Sequence, residues 1–214
     1  MNVVGIPNGT FAENCYLVIA DAARECAIVD PGEEADRILQ EVDRRGARPV
    51  GIWLTHAHLD HVLGAAAVRA ATGAPLYLHA ADLPLYDHVP EQALAFGLPA
   101  PAARLPAPDR NWVHGDVVRV GAEEFQVRHA PGHSPGHVVL VGPGVVFCGD
   151  LLFQGSIGRS DLPGGDSDTL MRSIERELLS LPDATIVYSG HGPETTIGRE
   201  RRHNPFLTGA ARPV

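Results

Sequence analysis

Thr55-His56-Ala57-His58-Leu59-Asp60-His61 places four strong metal ligands within six positions, a density that a metal site explains and ordinary loop chemistry does not. Three imidazoles and a carboxylate suit borderline divalent ions such as Zn2+ or Fe2+, whereas Ca2+ and Mg2+ prefer shells built from oxygen. The alternative is a His-rich loop, or a structural zinc closed by four ligands. Adjacent residues cannot by themselves surround two ions and leave each an open position for water. Further ligands are therefore expected far along the chain.

Three candidates stand out. His133 lies in Ala130-Pro131-Gly132-His133-Ser134-Pro135-Gly136-His137, a tight turn after the strand-like Phe125-Gln126-Val127-Arg128. Asp150 ends the apolar run Val145-Val146-Phe147-Cys148-Gly149, and His191 follows Ile186-Val187-Tyr188-Ser189-Gly190. Each stands where a buried strand runs out into a Gly-containing loop, the place where α/β architectures put their sites.

His-x-His-x-Asp-His followed by Gly-His-Ser, Gly-Asp and Gly-His resembles the metallo-β-lactamase fold superfamily, and Val29-Asp30-Pro31-Gly32 matches its early strand-end motif. The resemblance covers essentially the whole chain. The stretch from Phe147 to Asp166, with Asn14-Cys15-Tyr16-Leu17-Val18 and His203-Asn204-Pro205-Phe206-Leu207, is most similar to short glyoxalase II-like hydrolases. The resemblance implies an α/β fold, an αββα sandwich of two mixed sheets flanked by helices. It implies one ion held by His56, His58 and His133, a second by Asp60, His61 and His191, and Asp150 bridging them. Asp60 and Asp150 are thereby the catalytic carboxylates. Zn2+ is the expected metal, with Fe or Mn accepted by the same ligands, and a metal-bridging hydroxide is the expected nucleophile. Asp30, Thr55 and His137 are candidates to orient the ligands: Asp30 by fixing an imidazole tautomer, Thr55 by capping the loop, His137 by packing.

Composition narrows the classes. The 214 residues suffice for one domain with a good core, taken as residues 1–214, and 44% are hydrophobic. A net charge of -9 without a basic cluster argues against nucleic acid as a partner. The start lacks the charge and apolar run of a signal peptide, and no apolar run approaches the ~20 residues of a membrane span. Cys15, Cys26 and Cys148 lie apart and suit a reducing compartment, so a cytoplasmic protein is expected. The 17 basic residues are all arginine, which excludes Schiff-base lysines and phosphate-binding P-loops.

Along the chain, strands are expected at residues 3–6, 15–19, 26–29, 50–54, 75–78, 117–120, 124–128, 138–141 and 145–148. Helices are expected over residues 33–45, stopped by Gly46, and 62–71, stopped by Gly73. Residues 80–96 read as partly helical. A helix over 168–181 turns Leu170, Met171, Ile174 and Leu178 inward. Four prolines in residues 99–108 make a surface connection. His79, His88, His114, His129 and His203 read as isolated surface or core histidines.

The substrate is read from the glyoxalase II-like motif. The resemblance implies a small-molecule thioester, S-lactoylglutathione or a related hydroxyacylglutathione, without the C-terminal helical domain that helps bind glutathione. Arg159 keeps the basic residue that would hold a glutathione carboxylate, while Asp161 stands where those enzymes often have Tyr, and the two could pair with each other. The competing reading is a persulfide dioxygenase, whose family shares the Gly-Arg-x-Asp element and binds a single Fe2+ through positions matching His56, His133 and Asp150. Its His-Asp-Tyr run is replaced here by Gly190-His191-Gly192-Pro193. A β-lactamase is disfavoured, since those enzymes lack an Asp at the position of Asp150 and are normally exported. A non-enzymatic metal-binding protein is disfavoured by the full ligand set. Nothing in the sequence sets the oligomeric state.

Overall fold

The structure, a computed structural model, describes residues 1–101 and 104–212. Its elements run β1 (Asn2–Asn8), β2 (Glu13–Ala20), β3 (Glu25–Val29), α1 (Ala35–Arg45), β4 (Arg48–Trp53), α2 (Leu59–Val62), α3 (Ala65–Thr72), β5 (Leu76–His79), α4 (Leu83–Asp87), α5 (Val89–Ala95) and β6 (Arg110–Trp112). There follow β7 (Val117–Val120), β8 (Glu123–His129), β9 (Val138–Gly142), β10 (Val145–Gly149), β11 (Leu152–Phe153), β12 (Ser156–Ile157), α6 (Ser167–Ser173), β13 (Ile186–Ser189), β14 (Thr195–Thr196) and α7 (Ile197–His203). Strands β1 to β6 form one sheet in sequence order, and the second sheet runs β14-β13-β10-β9-β8-β7. Both are mixed: β3 to β6 pair in parallel after an antiparallel β1-β2-β3 meander, and β10 pairs in parallel with β13 among antiparallel neighbours.

Side-chain alternation along the strands sorts residues into layers, because successive positions point to opposite faces. On β2, Cys15, Leu17 and Ile19 enter a core shared with α1 and α3, while Tyr16, Val18 and Ala20 enter a core between the sheets. On β10, Val145 and Phe147 face that central core, and Val146 and Cys148 face a third core beneath α6 and α7. A sheet buried on both faces needs helices outside it, so the order is helix, sheet, sheet, helix. This is the expected αββα sandwich.

The helices differ from expectation at their ends. Glu33 and Glu34 precede α1, because their carboxylates accept hydrogen bonds from the backbone of Thr10 (2.8 Å) and Gly9 (3.3 Å) and so tie the β1–β2 turn to the helix start. The helix expected over 62–71 is split into α2 and α3. At the break, Gly64 N donates to Pro31 O at 3.0 Å, and a Cβ on Gly64 would lie 2.3 Å from Gly32 O. Helix α6 begins earlier than expected, with the Asp166 side chain accepting from Thr169 N. It passes into a π-helical turn at Ile174–Leu178, and Met171 is only partly buried. Strand β6 was not expected. It follows the 99–108 connection, of which residues 102 and 103 lie outside the described residues.

Candidate metal centre

Parallel neighbours β10 and β13 end side by side, which brings Asp150 and His191 together, and Asn14 N donating to Gly190 O (2.7 Å) ties their loop to β2. Strand β4 of the other sheet ends in the 55–61 loop. Val138 N donates to Thr55 O at 2.8 Å, so this loop and the 131–137 turn are joined where the sheets meet. All seven expected ligands converge there.

His58 Nδ1 lies 2.8 Å from His133 Nε2, which lies 3.2 Å from His56 Nε2. His191 Nε2 lies 3.2 Å from Asp60 Oδ2 and 3.5 Å from Asp150 Oδ2. Asp150 Oδ1 is 3.4 Å from His61 Nε2, and Asp150 Oδ2 is 3.7 Å from His133 Nε2. Two groups, His56-His58-His133 and Asp60-His61-His191, each offer ligand atoms within 4.8 Å of one another. Asp150 stands between them.

The outer hydrogen bonds decide which ring nitrogens face inward. Asp30 accepts from Thr55 N (2.7 Å), Thr55 Oγ1 (2.7 Å) and His61 Nδ1 (3.1 Å), and adopts a left-handed φ of 49° to do so. With its hydroxyl proton given to Asp30, Thr55 Oγ1 accepts from His56 Nδ1 at 3.0 Å. His133 Nδ1 donates to Arg159 O at 2.7 Å. In the neutral rings, His56 Nε2 and His133 Nε2 therefore point lone pairs at each other across 3.2 Å with no proton between them. His61 Nε2, His58 Nε2 and Asp150 Oδ1 are buried with no hydrogen-bond partner. A cation reconciles such a set, and divalent ions bound by nitrogen and carboxylate oxygen fit it.

Ionisation in the metal-free chain follows the same pattern. Burial, reinforced by the rings of His61 and His133, holds His56 well below its ordinary value. Burial likewise pushes His58 down to about 3. At His61 burial opposes charge, yet the Asp60 and Asp150 carboxylates outweigh it and hold the ring well above its usual range. His191, also disfavoured by burial, is pushed up to about 9 by hydrogen bonds to Asp150 and Asp60. Burial opposes ionisation of Asp150, but His61 and His191 keep it well below the usual carboxylate range. Protons on His61 and His191 thus balance Asp60 and Asp150, and dications would take their place.

Several further residues support the ligands, and two of them, Asp82 and Gln92, carry no sequence signal. Asp82, fully buried, accepts from Ala57 N (3.0 Å), Ser134 Oγ (2.8 Å) and Gly136 N (2.5 Å), clamping the 55–61 loop to the 131–137 turn. Gln92 donates to Ala57 O (3.1 Å) and accepts from Leu59 N (3.1 Å). Asn14 Nδ2 donates to Ser189 O (3.0 Å) and Gly192 O (2.8 Å), fixing the His191 loop. At Gly190 a Cβ would lie 2.2 Å from Asp150 Oδ1 and 2.6 Å from His61 Cε1, so only glycine leaves those groups in place. His137 stacks on His56 at 4.9 Å, and its Nε2 accepts from Asp150 N at 3.2 Å.

Arg159 and Asp161 form a two-bond ion pair on the rim, at 2.6 and 2.8 Å. A cavity of about 390 Å³ opens over the cluster between Phe11, Phe96, Phe153, Ile157 and Arg159. His79 and His129 are not isolated, since they stack at 4.2 Å, with His129 N donating to His114 Nδ1. No helix among the described residues is long and apolar enough to cross a membrane.

Comparison with known proteins agrees with this geometry. Residues 8–191 match the family model of the metallo-beta-lactamase superfamily. Hydroxyacylglutathione hydrolase GloC of Haemophilus influenzae is 43% identical over 97% of this chain and 98% of its own length. Among solved structures, BLEG-1 B3 metallo-beta-lactamase is 40% identical with TM-score 0.88, covering 97% of this chain and 100% of that one. TTHA1623 in a di-iron-bound form is 46% identical with TM-score 0.87, covering 95% and 100%. ETHE1 from Myxococcus xanthus is 30% identical with TM-score 0.82, covering 98% and 85%.

Proposed function

From the premise that this chain belongs to the metallo-beta-lactamase superfamily, we propose that it is a dinuclear metallohydrolase of S-acyl thioesters, S-lactoylglutathione or a related hydroxyacylglutathione among them. One observation carries the reading: the Asp150 carboxylate reaches both ligand groups, Oδ2 lying 3.7 Å from His133 Nε2 of one group and 3.5 Å from His191 Nε2 of the other, and Oδ1 3.4 Å from His61 Nε2. His56, His58 and His133 would hold one ion, and Asp60, His61 and His191 the other. When bound, two such ions supply a water acidified into the neutral range and a Lewis acid for a carbonyl oxygen. The chain itself positions these groups: Asp30 and Thr55 hold His56 and His61, the Arg159 carbonyl holds His133, and Asp60 and His191 stand partly exposed toward the cavity. A thiolate leaves without a strong general acid, because its thiol is already fairly acidic. In this reading residues 1–214 act as one catalytic domain in the cytoplasm.

A second reading, the mononuclear iron persulfide dioxygenase, is favoured by the likeness to ETHE1 and by the approach of His56, His133 and Asp150. The likeness to BLEG-1 makes a β-lactam a necessary control substrate. The deciding experiment measures metal per chain after aerobic and anaerobic purification, together with turnover of S-lactoylglutathione, glutathione persulfide and a chromogenic cephalosporin. Two ions and thiol release are expected. One iron with oxygen uptake on the persulfide overturns the thioesterase reading in favour of the second, and cephalosporin cleavage alone overturns both.

A further inference from the structure

Beside the metal cavity lies a second cavity of about 520 Å³, and the two share His58, Gln92, Phe96 and Leu162 as a common wall. Its remaining apolar lining is Pro84, Leu85, Ala95 and Pro163. The polar groups in it are largely spent. Gln92 is consumed by Ala57, Leu59 and Leu85 backbone, and His88 Nδ1 by Pro84 O at 2.7 Å. Left over are the Glu91 carboxylate and the Nε2 atoms of His88 and, at the wall shared with the metal cavity, of His58, and no arginine among the described residues lines the cavity. Phe96 is 45% exposed at the partition between the cavities, an aromatic ring left in water at the edge of a candidate active site. The metal cavity is lined also by Ser156, Arg159 and His191, which suit polar groups, and none of these three lines the second cavity.

We propose that this trough binds an uncharged aliphatic acyl arm, so that the chain prefers thioesters of medium-length fatty acids over hydroxyacylglutathiones. This rests on the thioesterase reading and names its substrate class. An acyl chain laid past His58 and Phe96 into the trough leaves its carbonyl over the metal cavity and its thiol carrier on the Ser156–Arg159 side. Glutathione offers carboxylates instead, and the one motif-placed cation, Arg159, is already held by Asp161. The reaction is plain hydrolysis. Water adds its oxygen to the acyl carbon, the carbon–sulfur bond breaks, and carboxylate, thiol and one solvent proton result.

The test uses the metal-loaded protein with acetyl, butyryl, hexanoyl and octanoyl thioesters of N-acetylcysteamine. Each buried methylene should raise kcat/KM by up to about fourfold, giving at least a tenfold rise across the series. Ala95→Asp, on the exposed face of α5 that lines the trough, should abolish the rise. Leu94→Asp, one residue away, 65% exposed and outside the trough, should keep it. Calorimetry with the uncleavable S-octyl thioether of N-acetylcysteamine separates the two claims. Binding that is lost in Ala95→Asp supports the trough even if no thioester is cleaved, in which case only the thioesterase reading fails. A flat or falling chain-length series, or no binding of the thioether, overturns the proposal.

Discussion

His56 and His61 stand on a floor where every outward ring nitrogen has a buried partner, whereas Arg159 and Asp161 form a rim pair that solvent reaches from several sides. The floor is held by Asp30 and Asp82, carboxylates that accept several hydrogen bonds each in a dry setting, where each bond is strong and each loss is costly. The rim pair is close and bidentate, yet water and salt compete for both partners. The difference teaches that this chain spends its buried polar groups on placing imidazoles and leaves its substrate face adaptable.

The sharpest break of that contrast is Asp150→Ala. A residue facing both ligand groups should take both ions with it, lowering activity at least about a hundredfold and metal content to near zero by atomic emission. His79→Ala, outside the cluster, should leave metal content unchanged.

Next in size is Asp82→Ala. Three donors would lose their acceptor in a buried place, costing about 3 kcal/mol or more. For a chain of this size that lowers Tm by roughly 6 to 12 °C in a thermal scan of the metal-loaded protein. A shift under about 2 °C would show that the clamp is not needed.

Asp30→Asn should be smaller and specific to metal. Oδ2 accepts from both Thr55 Oγ1 and His61 Nδ1 while Oδ1 accepts from Thr55 N, so whichever way the amide turns its NH2 faces a donor. Orientation of His56 and His61 is weakened, and metal affinity should fall about 10- to 100-fold in a chelator competition. Unchanged affinity would remove Asp30 from the floor.

The smallest effect belongs to the rim. Arg159→Ala and Asp161→Ala should each leave Tm and metal content unchanged, and the double variant should be no worse than either in KM for glutathione thioesters. A raised KM in Arg159→Ala alone would show that Arg159 reads a substrate carboxylate after all.

The floor's ligands were legible because they repeat one local pattern, a buried strand running into a Gly-containing loop: any one of His133, Asp150 and His191 alone reads as an ordinary loop residue, and the repetition sets them apart. Asp30 and Thr55 were legible at the strand ends they occupy. Asp82 and Gln92 were not, because their partners are backbone groups of loops far away in sequence, and a carboxylate in a helical stretch reads as surface. The same cause hides the break at Gly64: its reason is the backbone of Pro31 and Gly32, which no local periodicity contains. The layers were readable because strands such as β2 and β10 are apolar on both faces, while β6 and β14 are too short to show alternation. Arg159 and Asp161 were visible as a charged pair two residues apart, but whether they face each other or a ligand depends on loop shape.

The central claim is that Asp150 joins two metal-holding groups into one centre. The direct measurement is metal stoichiometry of the unmodified protein and of Asp150→Ala, each titrated with Zn2+ and followed by calorimetry under conditions where both remain folded by circular dichroism. Two ions per chain in the unmodified protein and loss of both high-affinity sites in the variant are the predicted result. A single ion per chain, or two ions still tightly bound without Asp150, would contradict it.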